Sequence, residues 1–249
     1  MLRAYGDGNL FGEPYGEGPV RVVWLHGWRR RGQDFDAAAR ALALEGPASV
    51  ALDLPGFGAS PPPSTFGGAR HYAELVVPAL RAIADGPLVL VGHSFGGRVA
   101  AVIAADYPAL VRSVVLTGVP LLRREARAPS PRAYRALKWL HARGAVGEGR
   151  FEAARRRYGS DDYRAASGVM RDVLVAVVNE DYGDVLERLA CPVALVWGAE
   201  DREVPLDVAQ RATTLLRAPH TLTVLDGVGH FVPTDAPAAL VDAAREALR

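Results

Sequence analysis

Cysteine is nearly missing from this chain: Cys191 stands alone among 249 residues. That excludes an intrachain disulfide and any multi-cysteine metal site. Cys191 sits beside Pro192 with nothing near it to lower its pKa, and it reads as inert filler. Lysine is as scarce. Lys138 is the only one, and every other basic residue is arginine, the codon habit of a GC-rich genome. Neither sign of charge is in real excess, because the net charge is +1. The whole molecule therefore gives no electrostatic ground for a nucleic-acid or membrane partner. No apolar run is long enough to span a bilayer. The segment Met1–Gly8 lacks the apolar centre of a signal peptide. A cytoplasmic protein is the expectation.

What is present is an ordinary globular composition, 49% apolar and 23% charged. It suffices for one α/β domain with an insertion. Residues 1–19 are rich in glycine. A short edge strand near Leu2–Tyr5 is possible, but the glycines argue mostly for turns. Val20–Leu25 reads as a buried strand ending in His26-Gly27-Trp28, and Gln33–Leu44 has helical spacing. Ser49–Leu54 is the next strand, followed by a stiff Pro61-Pro62-Pro63 loop. A helix is predicted over His71–Ala84, a strand over Leu88–His93, and another strand over Ser113–Leu116. After Pro120 the pattern changes. Residues 121–165 hold twelve arginines or lysines against five acids, and strands are lacking until Pro192. Helices are expected there over Pro131–Ala142, Gly149–Tyr158 and Tyr163–Asn179. Strand and helix then alternate again: Val193–Trp197, Leu206–Leu216, Thr221–Leu225, Pro237–Leu248. This rhythm predicts a mostly parallel sheet with helices on both faces. Residues 1–120 and 186–249 form that core, and residues 121–185 form a small helical cap.

The stretch Val89-Leu90-Val91-Gly92-His93-Ser94-Phe95-Gly96-Gly97 carries the chemistry. Its apolar start is a strand buried on both faces. The small apolar run Val99–Ala105 behind it is a packed helix. Ser94 therefore sits in a tight strand-to-helix turn of Gly-x-Ser-x-Gly type. Flanking glycines keep side chains clear of the strained backbone. The unpaired N–H groups of the first helical turn face a developing oxyanion.

A serine hydroxyl needs a base, and the base needs an orienting carboxylate. Two later strand ends supply them. Val193–Trp197 leads into Gly198-Ala199-Glu200-Asp201-Arg202-Glu203-Val204-Pro205, and Thr221–Leu225 leads into Asp226-Gly227-Val228-Gly229-His230-Phe231. The order serine, acid, histidine gives Ser94, Asp201 and His230 as the candidate triad. Asp201 also suits a helix cap, and Glu200 and Glu203 are weaker rivals for the acid. His93 and His26 read as structural, and His71, His141 and His220 as solvated or structural. The histidines share no metal-ligand spacing, so neither a metal nor a cofactor is expected. The candidate oxyanion donors are the backbone N–H groups of Phe95 and Trp28, and the Trp28 indole is expected to line the pocket.

These segments resemble the α/β-hydrolase fold family. The matching pieces are His26-Gly27-Trp28, Asp53-Leu54-Pro55-Gly56-Phe57-Gly58-Ala59-Ser60, Gly92–Gly97, Asp201 before Val204-Pro205, and Gly229-His230-Phe231. The resemblance implies a cap where the arginine-rich insertion lies. It also implies a carboxylesterase-like serine hydrolase acting on small or medium acyl esters. The first two segments are similar to those of the pimeloyl-carrier-protein methyl ester esterase group. Gly97-Arg98-Val99-Ala100 is similar to a menaquinone-pathway lyase in which the arginine holds a substrate carboxylate, which makes Arg98 a candidate substrate contact. Phe231 is another. The family also holds lyases and C–C hydrolases, and hydrolase-derived binding proteins with negligible turnover, so both stand as alternatives. Arg29, Arg30 and Arg31 beside a basic cap suggest a taste for anionic substrates, against the equal reading of a solvated arginine face.

Overall fold

The computed structural model describes residues 1–6, 8–123, 132–158 and 161–249. Outside them lie Asp7, the insertion residues Arg124, Glu125 and Arg127, and Pro131, where the first helix of the insertion is predicted to begin.

Among the described residues eight strands form one sheet: β1 (Arg3–Tyr5), β2 (Leu10–Tyr15), β3 (Val20–Leu25), β4 (Ala48–Asp53), β5 (Ala84–His93), β6 (Val111–Thr117), β7 (Val193–Gly198) and β8 (His220–Leu225). Their spatial order is β1-β2-β4-β3-β5-β6-β7-β8. The pairings from β4 through β8 are parallel, and β1 and β2 add antiparallel to the β4 edge. The glycine-rich start thus holds the expected short edge strand, β1, and a further strand, β2, with Gly6, Gly8, Gly16 and Gly18 in turns or bends at positive φ and Gly12 inside β2. Gly12 is what permits it: a Cβ there would lie 2.9 Å from the Ala51 carbonyl oxygen, so only glycine lets β2 pack this closely on β4. Pro14, which cannot donate to a ladder, lies beyond the β1 pairing, which stops at Gly12.

Strand side chains alternate between two apolar layers. Val22, Trp24, Val89, Val91, Val115 and Val196 pack against helices α1 (Asp36–Leu44) and α11 (Pro237–Ala247). Val23, Leu25, Leu88, Leu90, Leu195 and Trp197 pack on the other face against α2 (Ala69–Ile83), α3 (Phe95–Asp106) and α9 (Leu206–Thr213). Burial on both faces is why these strands read as continuous apolar runs.

Between β6 and β7 run α4 (Arg132–Ala142), α5 (Glu148–Tyr158), α6 (Asp161–Ala165), α7 (Gly168–Val177) and α8 (Gly183–Arg188), with a short α10 (Val232–Asp235) later in the chain. The single helix predicted over Tyr163–Asn179 is two, because Gly168 takes φ +52° after the break at Ala166-Ser167. The division at residues 185 and 186 falls within α8, whose Val185 and Leu186 both belong to the layer beneath the sheet. Among the described residues no helix is long and apolar enough to cross a membrane.

Candidate active site

Three carboxyl ends of parallel strands meet above the sheet. β5 ends at His93, and the chain turns into α3 through Ser94, whose φ of 49° and ψ of −110° no ordinary residue adopts without strain. The turn is held from two sides. The Ser94 N–H donates to the Thr117 carbonyl at 2.9 Å, and the Gly96 N–H donates to the His26 carbonyl at 3.0 Å. Gly92 and Gly96 have no room for a side chain: added Cβ atoms would strike the Gly97 and Leu25 backbones.

Asp201 and His230 are both buried, and the ring nitrogen Nδ1 of His230 lies 2.7 Å from Asp201 Oδ2. The other carboxylate oxygen of Asp201 accepts the N–H groups of Glu203 at 2.9 Å and Val204 at 2.8 Å. Asp201 therefore holds its own loop as well as the imidazole. That loop is zipped to the histidine loop by the Glu200 N–H on the Val228 carbonyl and the Ala199 N–H on the Leu225 carbonyl, both 2.9 Å. Gly118, next to the Thr117 that holds Ser94, forms the floor beneath this pair. A Cβ at Gly118 would lie 3.0 Å from the His230 ring and 3.4 Å from Asp201 Oδ2. His93 is buried and its Nε2 lies 3.0 Å from the His230 carbonyl oxygen. Burial holds the His93 pKa down to about 3, with the neighbouring His230 adding to the effect.

His26 is fully buried. Its Nε2 accepts the Leu54 N–H at 2.9 Å, and burial pushes its pKa down. Asp53 accepts the N–H groups of Gly32 and Ala59, both at 2.8 Å, which ties the loop after β3 to the loop after β4. Trp28 packs edge-on against Phe57 and Phe95, with ring centroids 5.0 and 5.5 Å away. Among the described residues neither the Trp28 nor the Phe95 backbone N–H donates a hydrogen bond within the chain. Trp28, Gly56, Phe57, Ala166, Ser167 and Met170 line an open pocket of about 230 Å³ between the loops and α7.

The family is decided by the sequence itself: residues 22–243 match the profile of the Alpha/beta hydrolase family. The chain belongs to the alpha/beta hydrolase family. It is 33% identical over 226 residues to the pimeloyl-[acyl-carrier protein] methyl ester esterase of Chromobacterium violaceum, covering 80% of this chain and 82% of that one. It is 33% identical over 218 residues to lipase LipV of Mycobacterium tuberculosis, covering 84% and 78%. In three dimensions it is similar to an esterase, EaEST, from Exiguobacterium antarcticum, with a TM-score of 0.74, 19% identity, and 99% and 98% of the two chains covered.

Not every candidate lies where the sequence suggested. In this alpha/beta hydrolase the Arg98 guanidinium donates to the Val177 carbonyl of α7 at 2.8 Å and lies 5.6 Å from the Tyr182 ring centroid. It joins α3 to the insertion. Phe231 lies at the rim, edge-on to His230 at 5.4 Å, with the Arg30 guanidinium 5.1 Å above it. The arginines after β3 are partnered: Arg29 with Asp162 at 3.3 Å and Arg30 with Asp34 at 2.5 Å. Cys191 is partly buried, which raises its pKa. Two residues take positions beyond those expected from the sequence. Met170 reaches from α7 over Gly56, and Glu203 faces the other nitrogen of His230 at 3.5 Å. For Glu203 the signal was present, since it follows Asp201 by two residues in a turn that Asp201 itself closes.

Proposed function

We propose that this chain is a serine hydrolase that cleaves carboxylic esters of small or medium acyl groups through an acyl-enzyme. The observation that carries the reading is the buried Asp201–His230 pair, 2.7 Å apart, over Gly118, while the neighbouring Thr117 carbonyl holds the N–H of a serine at φ 49° on a strand-to-helix turn. Strained backbone, a buried carboxylate and a ring oriented by it are what nucleophilic catalysis requires. The esterase and lipase named above, each 33% identical, support the same chemistry.

In this mechanism Ser94 Oγ attacks the ester carbonyl as its proton passes to His230 Nε2. Asp201 keeps the other proton on Nδ1 and stabilises the imidazolium. The N–H groups of Phe95 and Trp28 receive the oxyanion. His230 then returns the proton to the leaving alkoxide oxygen, and the alcohol departs. Water repeats the sequence on the acyl-enzyme, with its proton taken by His230, and the acid is released. No step needs a cofactor.

Residues 121–185 act as a cap over this site, and the cavity beside Trp28 and Met170 holds the acyl group. At about 230 Å³ it lies below the usual range of ligand pockets, which favours short chains. The test is labelling of the intact protein by a fluorophosphonate, with burst kinetics on p-nitrophenyl butyrate. Ser94 should carry the label, and Ser94→Ala should lower kcat by roughly 10³-fold or more. A Ser94→Ala variant that still hydrolyses the ester at the wild-type rate would overturn the proposal.

A further inference from the structure

The imidazole of His230 has a carboxylate near each nitrogen. Asp201 Oδ2 lies 2.7 Å from Nδ1, and Glu203 Oε2 lies 3.5 Å from Nε2. Both acids come from one loop. Asp201 Oδ1 accepts the N–H groups of Glu203 and Val204, and this turn brings the Glu203 side chain back over the ring. The two differ in setting: the Asp201 side chain is 1% exposed and that of Glu203 is 62% exposed.

A neutral imidazole whose Nδ1–H donates to Asp201 presents a lone pair at Nε2. A carboxylate also offers only lone pairs, so Glu203 gains nothing from that state. Once Nε2 carries a proton the contact becomes a charge-assisted pair. The remaining groups around the ring do not cancel this. His93, whose ring centre is 4.8 Å away, is held uncharged by burial. Arg30 reaches the neighbourhood over Phe231, but it is paired with Asp34. Ser94 and Gly118 bring no charge. Glu203 therefore acts selectively on the imidazolium.

We infer that Glu203 is a positioning residue for His230, a second carboxylate that stabilises the ring's positive charge from the solvent side at Nε2. The inference rests on the reading of His230 as the base. The consequence of that contact is that Glu203 stabilises the imidazolium formed when Ser94 loses its proton. Because the carboxylate is well exposed, solvent limits the effect to about half a pH unit.

Glu203→Gln keeps the size of the side chain and the backbone N–H that Asp201 holds, so the loop stays closed. The experiment follows the His230 ring by NMR in histidine-labelled full-length protein at low ionic strength, with the resonance assigned by its loss in His230→Gln. The His230 midpoint should fall by about half a pH unit in Glu203→Gln. The acid limb of kcat/KM for p-nitrophenyl butyrate should move down with it. Glu200→Gln removes an exposed charge from the same loop and should shift neither. An unmoved or raised midpoint in Glu203→Gln overturns the inference, and so does an equal shift in Glu200→Gln, which would make the effect one of general charge. The NMR midpoint needs no turnover. A protein that hydrolyses no ester therefore sinks the proposed function while leaving this measurement to judge Glu203.

Discussion

His93 Nε2 lies 3.0 Å from the backbone carbonyl oxygen of His230, a residue 137 positions further along the chain. The acceptor is a carbonyl, so Nε2 carries the proton and donates. One buried histidine thus joins the serine turn to the loop that bears His230. It does so as a neutral ring, because burial holds its pKa down to about 3.

This has a consequence for stability. The unfolded chain takes up the His93 proton near pH 6.5, whereas the folded chain resists it down to about pH 3. The contribution is complete above pH 6.5 and is lost as pH falls, at about 1.4 kcal/mol per pH unit. The fully buried His26 shifts in the same direction. Urea unfolding at pH 6.5 and pH 5 should show wild type losing about 2 kcal/mol more than His93→Gln. Equal losses in the two proteins would mean that His93 is not held neutral.

Asp201→Asn should keep the fold and lose the chemistry. The asparagine oxygen still accepts the N–H groups of Glu203 and Val204. Its amide, however, donates to His230 Nδ1 and moves the ring proton to Nε2, where a base needs a lone pair. Steady-state kinetics at pH 7 should show kcat lower by about 10³- to 10⁴-fold, with far-ultraviolet circular dichroism unchanged. A loss smaller than about tenfold would remove Asp201 from the proposed triad.

Gly96→Ala should damage the turn itself. The new Cβ would collide with the Leu25 carbonyl and lie 2.6 Å from the His26 oxygen, and both belong to rigid backbone at the end of β3. Denaturant unfolding should show a loss of about 2–4 kcal/mol, together with a fall in activity. A variant as stable and as active as wild type would show that α3 does not start against β3 in this way.

Met170→Ala should change chain-length preference. The Met170 side chain lies over Gly56, with its sulfur 3.8 Å from the Tyr72 hydroxyl, and it bounds the cavity assigned to the acyl group. The ratio of kcat/KM for octanoate over butyrate p-nitrophenyl esters should rise about tenfold. Stability should fall by about 1–2 kcal/mol, because the residue is only half-buried. An unchanged ratio would place the acyl chain elsewhere.

The sequence by itself determined the elements whose signal is local. Runs such as Val20–Leu25 and Leu88–His93 are apolar throughout because sheet burial on both faces demands it, and that is visible without a partner strand. The Gly-x-Ser-x-Gly turn is equally local, since it needs small residues on either side of one strained position. Asp201 and His230 were found by where they fall after their strands, and the tertiary structure brought them to 2.7 Å. Only the tertiary structure decided the rest, because it turns on who lies opposite whom. β2, inside the glycine-rich start, is a strand because Gly12 meets β4 at close range, which no window of the chain reveals. Arg98 faces the Val177 carbonyl, 79 residues away. Glu203 meets Nε2 because a turn closed by Asp201 folds it over a ring carried by another loop. Contacts of this kind depend on distances between loops, and a linear pattern carries no measure of those.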